Sequence, residues 1–129
     1  MRGGRSLAEA LEGYLAEWAD RTDITVETWA LPADEVPARV ARGVWGALEE
    51  ALANVERHSG ATVVSIAITS GARGLRMTVS DNGGGFANAP VGRGIARMRA
   101  WFAELGGNLA VSSVAGEGTT VTGVVPKKR

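Results

Sequence analysis

The sequence predicts a two-layer α/β sandwich of the α+β class: a mixed, mostly antiparallel sheet of about five strands with about three helices on one face. Three observations predict it. Apolar residues recur at helical spacing in three stretches, and five short β-rich stretches alternate with them. Four of the strand candidates also follow one another in pairs through short turns, which suits antiparallel neighbours better than a doubly wound parallel sheet.

Leu7, Leu11, Tyr14, Leu15 and Trp18 mark an amphipathic helix over residues 6–20, with Ser6 as its N-cap. Residues 24–29 (ITVETW) are β-branched and alternating, hence a strand. A loop over 31–35 contains Pro32 and two acids. From Val36, the residues Val40, Val44, Leu48, Leu52 and Val55 step by four and then three, a long helix that stops near His58 at Ser59-Gly60. Strands follow at 62–69 and 75–80, then a glycine-rich loop at 81–94 (DNGGGFANAPVGRG). Ile95, Met98, Phe102 and Leu105 mark a third helix closed by Gly106-Gly107, and strands at 109–114 and 119–125 flank a Gly116-Glu117-Gly118 turn. With neither repeat nor linker, residues 1–129 read as one domain.

Acidic and basic residues number 14 each, so overall charge favours neither nucleic acid nor membrane. Residues 1–58 carry 11 acids and 6 bases, whereas residues 59–129 carry 3 acids and 8 bases. An electropositive second half suits a small anionic ligand. The chain has no cysteine, which excludes disulfides and thiolate metal sites and fits a cytoplasmic setting. No apolar run reaches the ~18–20 residues of a membrane span.

The long helix carries two stripes. On a wheel of about 100° per residue, Val44, Leu48, Leu52 and Val55 form a core face, and Glu50, Asn54, Arg57 and His58 an adjoining polar one. Alone, that second stripe reads equally as the wet side of a surface helix. The glycine loop adds a second signal. Asp81 ends a strand, NGGGF follows at once, and Gly92-Arg93-Gly94 runs into a helix N-terminus with Arg97 nearby. Such a helix start, with unpaired N–H groups and a positive dipole end, suits phosphate. No GxxxxGK[ST] is present, so this is not a P-loop.

The ordered set EEALANVERH (49–58), DNGGGF (81–86), GRGIARM (92–98) and GEGTT (116–120) resembles the N, G1, G2 and G3 boxes of the GHKL ATP-binding superfamily of gyrase, Hsp90, histidine kinases and MutL. The phrases ELGGNLAVSS and GEGTTVTGVVP are most similar to sensor histidine kinases paired with LuxR-type response regulators. The resemblance runs from about Val36 to Pro126, and it implies the Bergerat form of the sandwich, ATP and Mg²⁺ as cofactors, and γ-phosphate transfer to a histidine.

It also implies residue roles. Asn54 would give its carbonyl to Mg²⁺, a hard cation that takes oxygen ligands. Asp81 would accept from the adenine amino group, where guanine presents a carbonyl that a carboxylate repels. Gly83 and Gly85 would let the backbone approach the base, Gly92 and Gly94 would sit against the phosphates, and Thr119 would bond near Asp81. Arg57 would approach the phosphates and His58 would flank the nucleotide. For Glu50 two roles stay open: a base that orients water, as in hydrolytic members, or an organiser of water around Mg²⁺.

His58 is the only histidine, but it lies on the nucleotide-binding helix, whereas the acceptor in the resembled kinases sits on a separate dimerisation segment. The expected partners are therefore ATP, that segment of the same protein and a response regulator receiver domain. The isolated domain is expected to be a monomer with negligible autophosphorylation, and the parent protein a homodimer whose membrane anchor, where it has one, lies in another segment. Three other readings fit less well: an anti-sigma-factor serine kinase, a non-catalytic nucleotide-binding module, and a gyrase- or Hsp90-like hydrolase.

Overall fold

Residues 6–32, 36–84, 93–114 and 116–126 are described in a computed structural model. Helix α1 (Leu7–Thr22) opens on a capping box: Ser6 Oγ accepts from the Glu9 N–H at 3.1 Å, and Glu9 Oε1 accepts from the Ser6 N–H at 3.1 Å. Its Leu7, Leu11, Leu15 and Trp18 are buried, as their spacing predicts. Strand β1 (Thr25–Ala30) follows. Its register shifts between Thr28 and Ala30; Trp29, out of phase with the inward-facing Ile24 and Val26, is 74% exposed.

Helix α2 (Ala38–Asn54) continues into a π-helical turn, Val55–Ser59, that ends at Gly60 with φ 66°. Strands β2 (Val63–Gly71) and β3 (Gly74–Asp81) form a hairpin. Helix α3 (Arg93–Glu104) then leads to β4 (Asn108–Val114) and β5 (Gly118–Pro126). The sheet order is β1-β2-β3-β5-β4, with β1 parallel to β2 and the other three pairs antiparallel. The mixed, mostly antiparallel five-stranded sheet expected from the sequence is what the chain forms.

The pairing register sets which residues share a face. Ile66, Val79, Val121 and Val111 stand in one cross-strand row, and Ile68, Met77, Gly123 and Leu109 in the next. These rows carry the core against the helices. Ile66, Ile68 and Met77 are fully buried together with Val44, Leu48, Leu52, Met98 and Phe102. Phe102 fits because Gly123 has no side chain: a Cβ there would lie 2.5 Å from the ring. Helices α2 and α3 approach closely for the same reason, since a Cβ on Gly46 would lie 2.4 Å from the Trp101 indole and one on Gly43 would lie 2.7 Å from Leu105. An exposed Arg21–Glu56 ion pair at 3.0 Å joins α1 to the π-helical turn and contributes little energy.

A methyl group added at position 123 must push the Phe102 ring into a filled core. Gly123→Ala is expected to destabilise the fold by about 1–3 kcal/mol, read as a lower urea midpoint at unchanged slope, whereas Ala at the open, exposed position 71 should leave the midpoint in place.

Candidate functional site

Helix α2 brings Asn54 to the end of the sheet because its opposite stripe is locked into the core. Val44, Ala47, Leu48, Ala51 and Leu52 are all buried, so the rotation of the helix about its axis is fixed. Asn54 is half-buried on the flank of that stripe, and its amide makes no hydrogen bond among the described residues. The close α2–α3 packing carries the start of α3 to the same place. A Cβ on Gly94 would meet Glu50 Oε2 at 3.0 Å, Asn54 Oδ1 at 3.3 Å and Asn54 Nδ2 at 3.5 Å.

Strand β3 delivers Asp81 by its period of two. Leu75, Met77 and Val79 face the helices, and Asp81 is the next residue in phase. It stands in a cross-strand row with Val64, Thr119 and Ser113, at the end of the two apolar rows. The Thr119 and Ser113 hydroxyls are 2.9 Å apart and bonded. Asp81 Oδ1 accepts from the Gly83 N–H at 2.8 Å, an Asx turn that starts the glycine loop. Its other carboxylate oxygen accepts no hydrogen bond among the described residues.

Asn54, Asp81 and Thr119 line one cavity, whose apolar walls include Val79, Ile95 and Met98. Its volume is about 20 Å³, room for about one water and too small for a nucleotide base.

Arg97 on α3 forms an ion pair with Glu50. Its Nε donates to Glu50 Oε1 at 2.6 Å, and Nη2 lies 3.5 Å from Oε2. The hydrogen bond to Glu50, and then the carboxylate's charge, raise the guanidinium pKa above its ordinary value. No group of three or more His, Asp or Glu side chains that could hold a metal occurs among the described residues. A divalent ion here would draw on the Asn54 carbonyl and on oxygens from a phosphate and water, which is the way Mg²⁺ prefers to be held.

Of the residues expected from the sequence, Glu50, Asn54 and Gly94 meet at one point, and Asn54 shares its cavity with Asp81 and Thr119, while Gly83 hydrogen-bonds Asp81. Arg57 is exposed in the π-helical turn. After Asn54 the helix leaves α geometry, and i→i+5 bonding changes the helical phase. The backbone of His58 lies in the same turn; its side chain lies outside the described residues, as do Gly85 and Gly92.

Two supporting residues carried no distinct signal. Asn82 is a clamp. Its Oδ1 accepts from the Thr62 and Val63 N–H groups at 2.9 Å each, and its Nδ2 donates to Thr62 Oγ1 at 3.0 Å. Gly118 sits beneath Asp81 with φ 94°, and a Cβ there would lie 2.1 Å from the Asp81 carbonyl oxygen. Only glycine lets the two backbones come so near.

The Asn82 clamp gives a direct expectation. Asn82→Ala should lower stability by about 1–2 kcal/mol, measured by urea unfolding. Asn82→Asp, which keeps the acceptor for both N–H groups, should recover most of that loss.

Residues 40–129 match the family described as Histidine kinase-, DNA gyrase B-, and HSP90-like ATPase. The chain is 34% identical over 128 residues to the sensor histidine kinase MctS of Rhizobium johnstonii, covering 94% of this chain and 28% of that protein. It is 33% identical over 126 residues to the sensor histidine kinase LiaS of Bacillus subtilis, covering 95% and 35%. It thus spans about a third of the length of these relatives. Among solved structures, the histidine kinase domain of the Erythrobacter litoralis EL346 blue-light activated histidine kinase superposes with a TM-score of 0.77 at 24% identity, over 94% of this chain and 61% of that one. The ATP binding domain of PrrB from Mycobacterium tuberculosis gives 0.70 at 20% identity, over 97% and 96%. Both share the fold. No helix among the described residues is long and apolar enough to cross a membrane.

Proposed function

The chain belongs to the histidine kinase-, DNA gyrase B- and HSP90-like ATPase family, and from that premise we propose that it binds Mg–ATP between α2 and the end of β3 and supplies the γ-phosphate to a histidine on a dimerisation segment of the same protein. A response regulator aspartate is the onward acceptor. The observation that carries this reading is the shared cavity: an amide from a helix and a carboxylate from a strand, distant in sequence, line one space with Thr119 between apolar walls.

Each group has a task that its position supports. The unbonded oxygen of Asp81 accepts from the adenine amino group, while Oδ1 stays on the Gly83 N–H and fixes the carboxylate's direction. The apolar walls receive the faces of the base. Asn54 Oδ1 would hold Mg²⁺, which would supply charge neutralisation to the phosphates, and Gly94 leaves room for an anion at the start of α3. Phosphoryl transfer depends chiefly on such positioning and neutralisation. Glu50, one turn before Asn54, is the acid of the site; the base that assists the attacking imidazole comes from the segment carrying that histidine.

Calorimetric titration with Mg–ATP and Mg–GTP tests the reading. ATP should bind and GTP should not, because the guanine carbonyl would face a carboxylate. Asp81→Asn should weaken ATP by about tenfold to a hundredfold, the worth of a hydrogen bond to a charged acceptor at about 1.5–3 kcal/mol. Asn54→Ala should remove the Mg²⁺ dependence of binding. Equal affinity for the two nucleotides would show that Asp81 does not read the base.

A further inference from the structure

Asp81 can accept from the amino group of an adenine, but the ring nitrogen beside that group is itself an acceptor and calls for a donor. Thr119 is the side chain in place to supply one. It pairs with Asp81 across β3 and β5, so the two share a face of the sheet, and both line the same cavity. A hydroxyl serves as donor or acceptor, and its neighbours decide which. The neighbour of Thr119 is Ser113, its partner across β4 and β5, which does not line the cavity.

The distances around Ser113 give that bond a direction. Its Oγ lies 2.9 Å from Thr119 Oγ1 and 3.4 Å from the Gly118 carbonyl oxygen. Either oxygen can accept the one proton that Ser113 carries. Hydroxyl-to-oxygen bonds run from about 2.5 to 3.0 Å, so the Thr119 contact takes it. Thr119 then accepts from Ser113, and its own proton is left for the cavity. In the opposite sense Thr119 would show the cavity only lone pairs, beside a carboxylate that already supplies acceptors there. The pair also sits inside a strand ladder, flanked by Val111 opposite Val121 and by Val114 opposite Gly118. Both residues are half-buried. Backbone pairing, rather than exposed side chains, holds the two oxygens together.

We propose that Ser113 is a positioning residue for base recognition: it donates to Thr119, so that the Thr119 hydroxyl donates to the ring nitrogen next to the adenine amino group. The inference rests on the Mg–ATP reading of the same site. It makes the polar row at the end of the sheet a reader of two adjacent atoms, with Asp81 taking the donor of the base and Thr119 serving the acceptor.

The experiment compares calorimetric Kd values for Mg–ATP and for Mg–1-deaza-ATP, in which a C–H replaces that ring nitrogen and the amino group stays. The unmodified chain should bind the analogue about threefold to tenfold more weakly, the worth of one neutral hydrogen bond. Thr119→Val should bind the two equally. Ser113→Ala should bring ATP close to the analogue while leaving the analogue's own Kd in place, which a general loosening of the site would not do. Ser113→Thr, which keeps the hydroxyl, should restore the difference. Ser113→Cys keeps the shape but donates weakly, so it should narrow the difference too, and it answers the question if the alanine chain does not fold. A full difference retained in Ser113→Ala or Ser113→Cys overturns the proposal, as does equal binding of ATP and the analogue by the unmodified chain; both leave the Mg–ATP reading standing. Failure of the unmodified chain to bind ATP overturns the two together.

Discussion

Asp81 reaches the helix side of the sheet only because β3 keeps its phase to its last residue. Leu75, Met77 and Val79 hold that phase by burial, and each is matched across the sheet by the register with β2 and β5. A slip of one residue would turn all three outward and Asp81 with them. The core and the site are therefore parts of one pattern, with the apolar rows fixing the polar row beyond them. Gly118 allows the backbone of β5 to pass under Asp81, and Asn82 ties the strand's exit to the start of β2. The carboxylate is held by covalent neighbours and cross-strand partners whether or not a ligand is present.

The opposite wall is built differently. Helix α2 is fixed by its buried stripe and by two glycines that let α3 lie close against it. The start of α3 rests on Glu50 and Asn54 through Gly94, on the buried Ile95 and Met98, and on an exposed ion pair.

Much of this was legible in the residues because it depends on period. The spacing of Leu7 to Trp18 and of Val44 to Val55 gave two helices, and β-branched alternation gave the strands. Asp81 could be placed from sequence because it closes such a run. Three features had no periodic signature. The π-helical turn after Asn54 changes helical phase without any change in composition. The register shift at Thr28/Ala30 sets Ala30 opposite Ala67 without any break in the local text. Asn82 and Gly118 act through partners about 20 and 37 residues away along the chain, and local text does not reveal such contacts.

The central claim is that one ligand is held from both walls, by Asn54 on α2 and Asp81 on β3. It is tested most directly by following backbone amide resonances while Mg–ATP is added to isotopically labelled protein. Shifts should concentrate at Ala53–Val55, at Asp81–Gly84, around Thr119 and at the start of α3, and they should saturate together at a single Kd. Saturable shifts confined to other parts of the surface, with the ends of α2 and β3 unmoved, would contradict it.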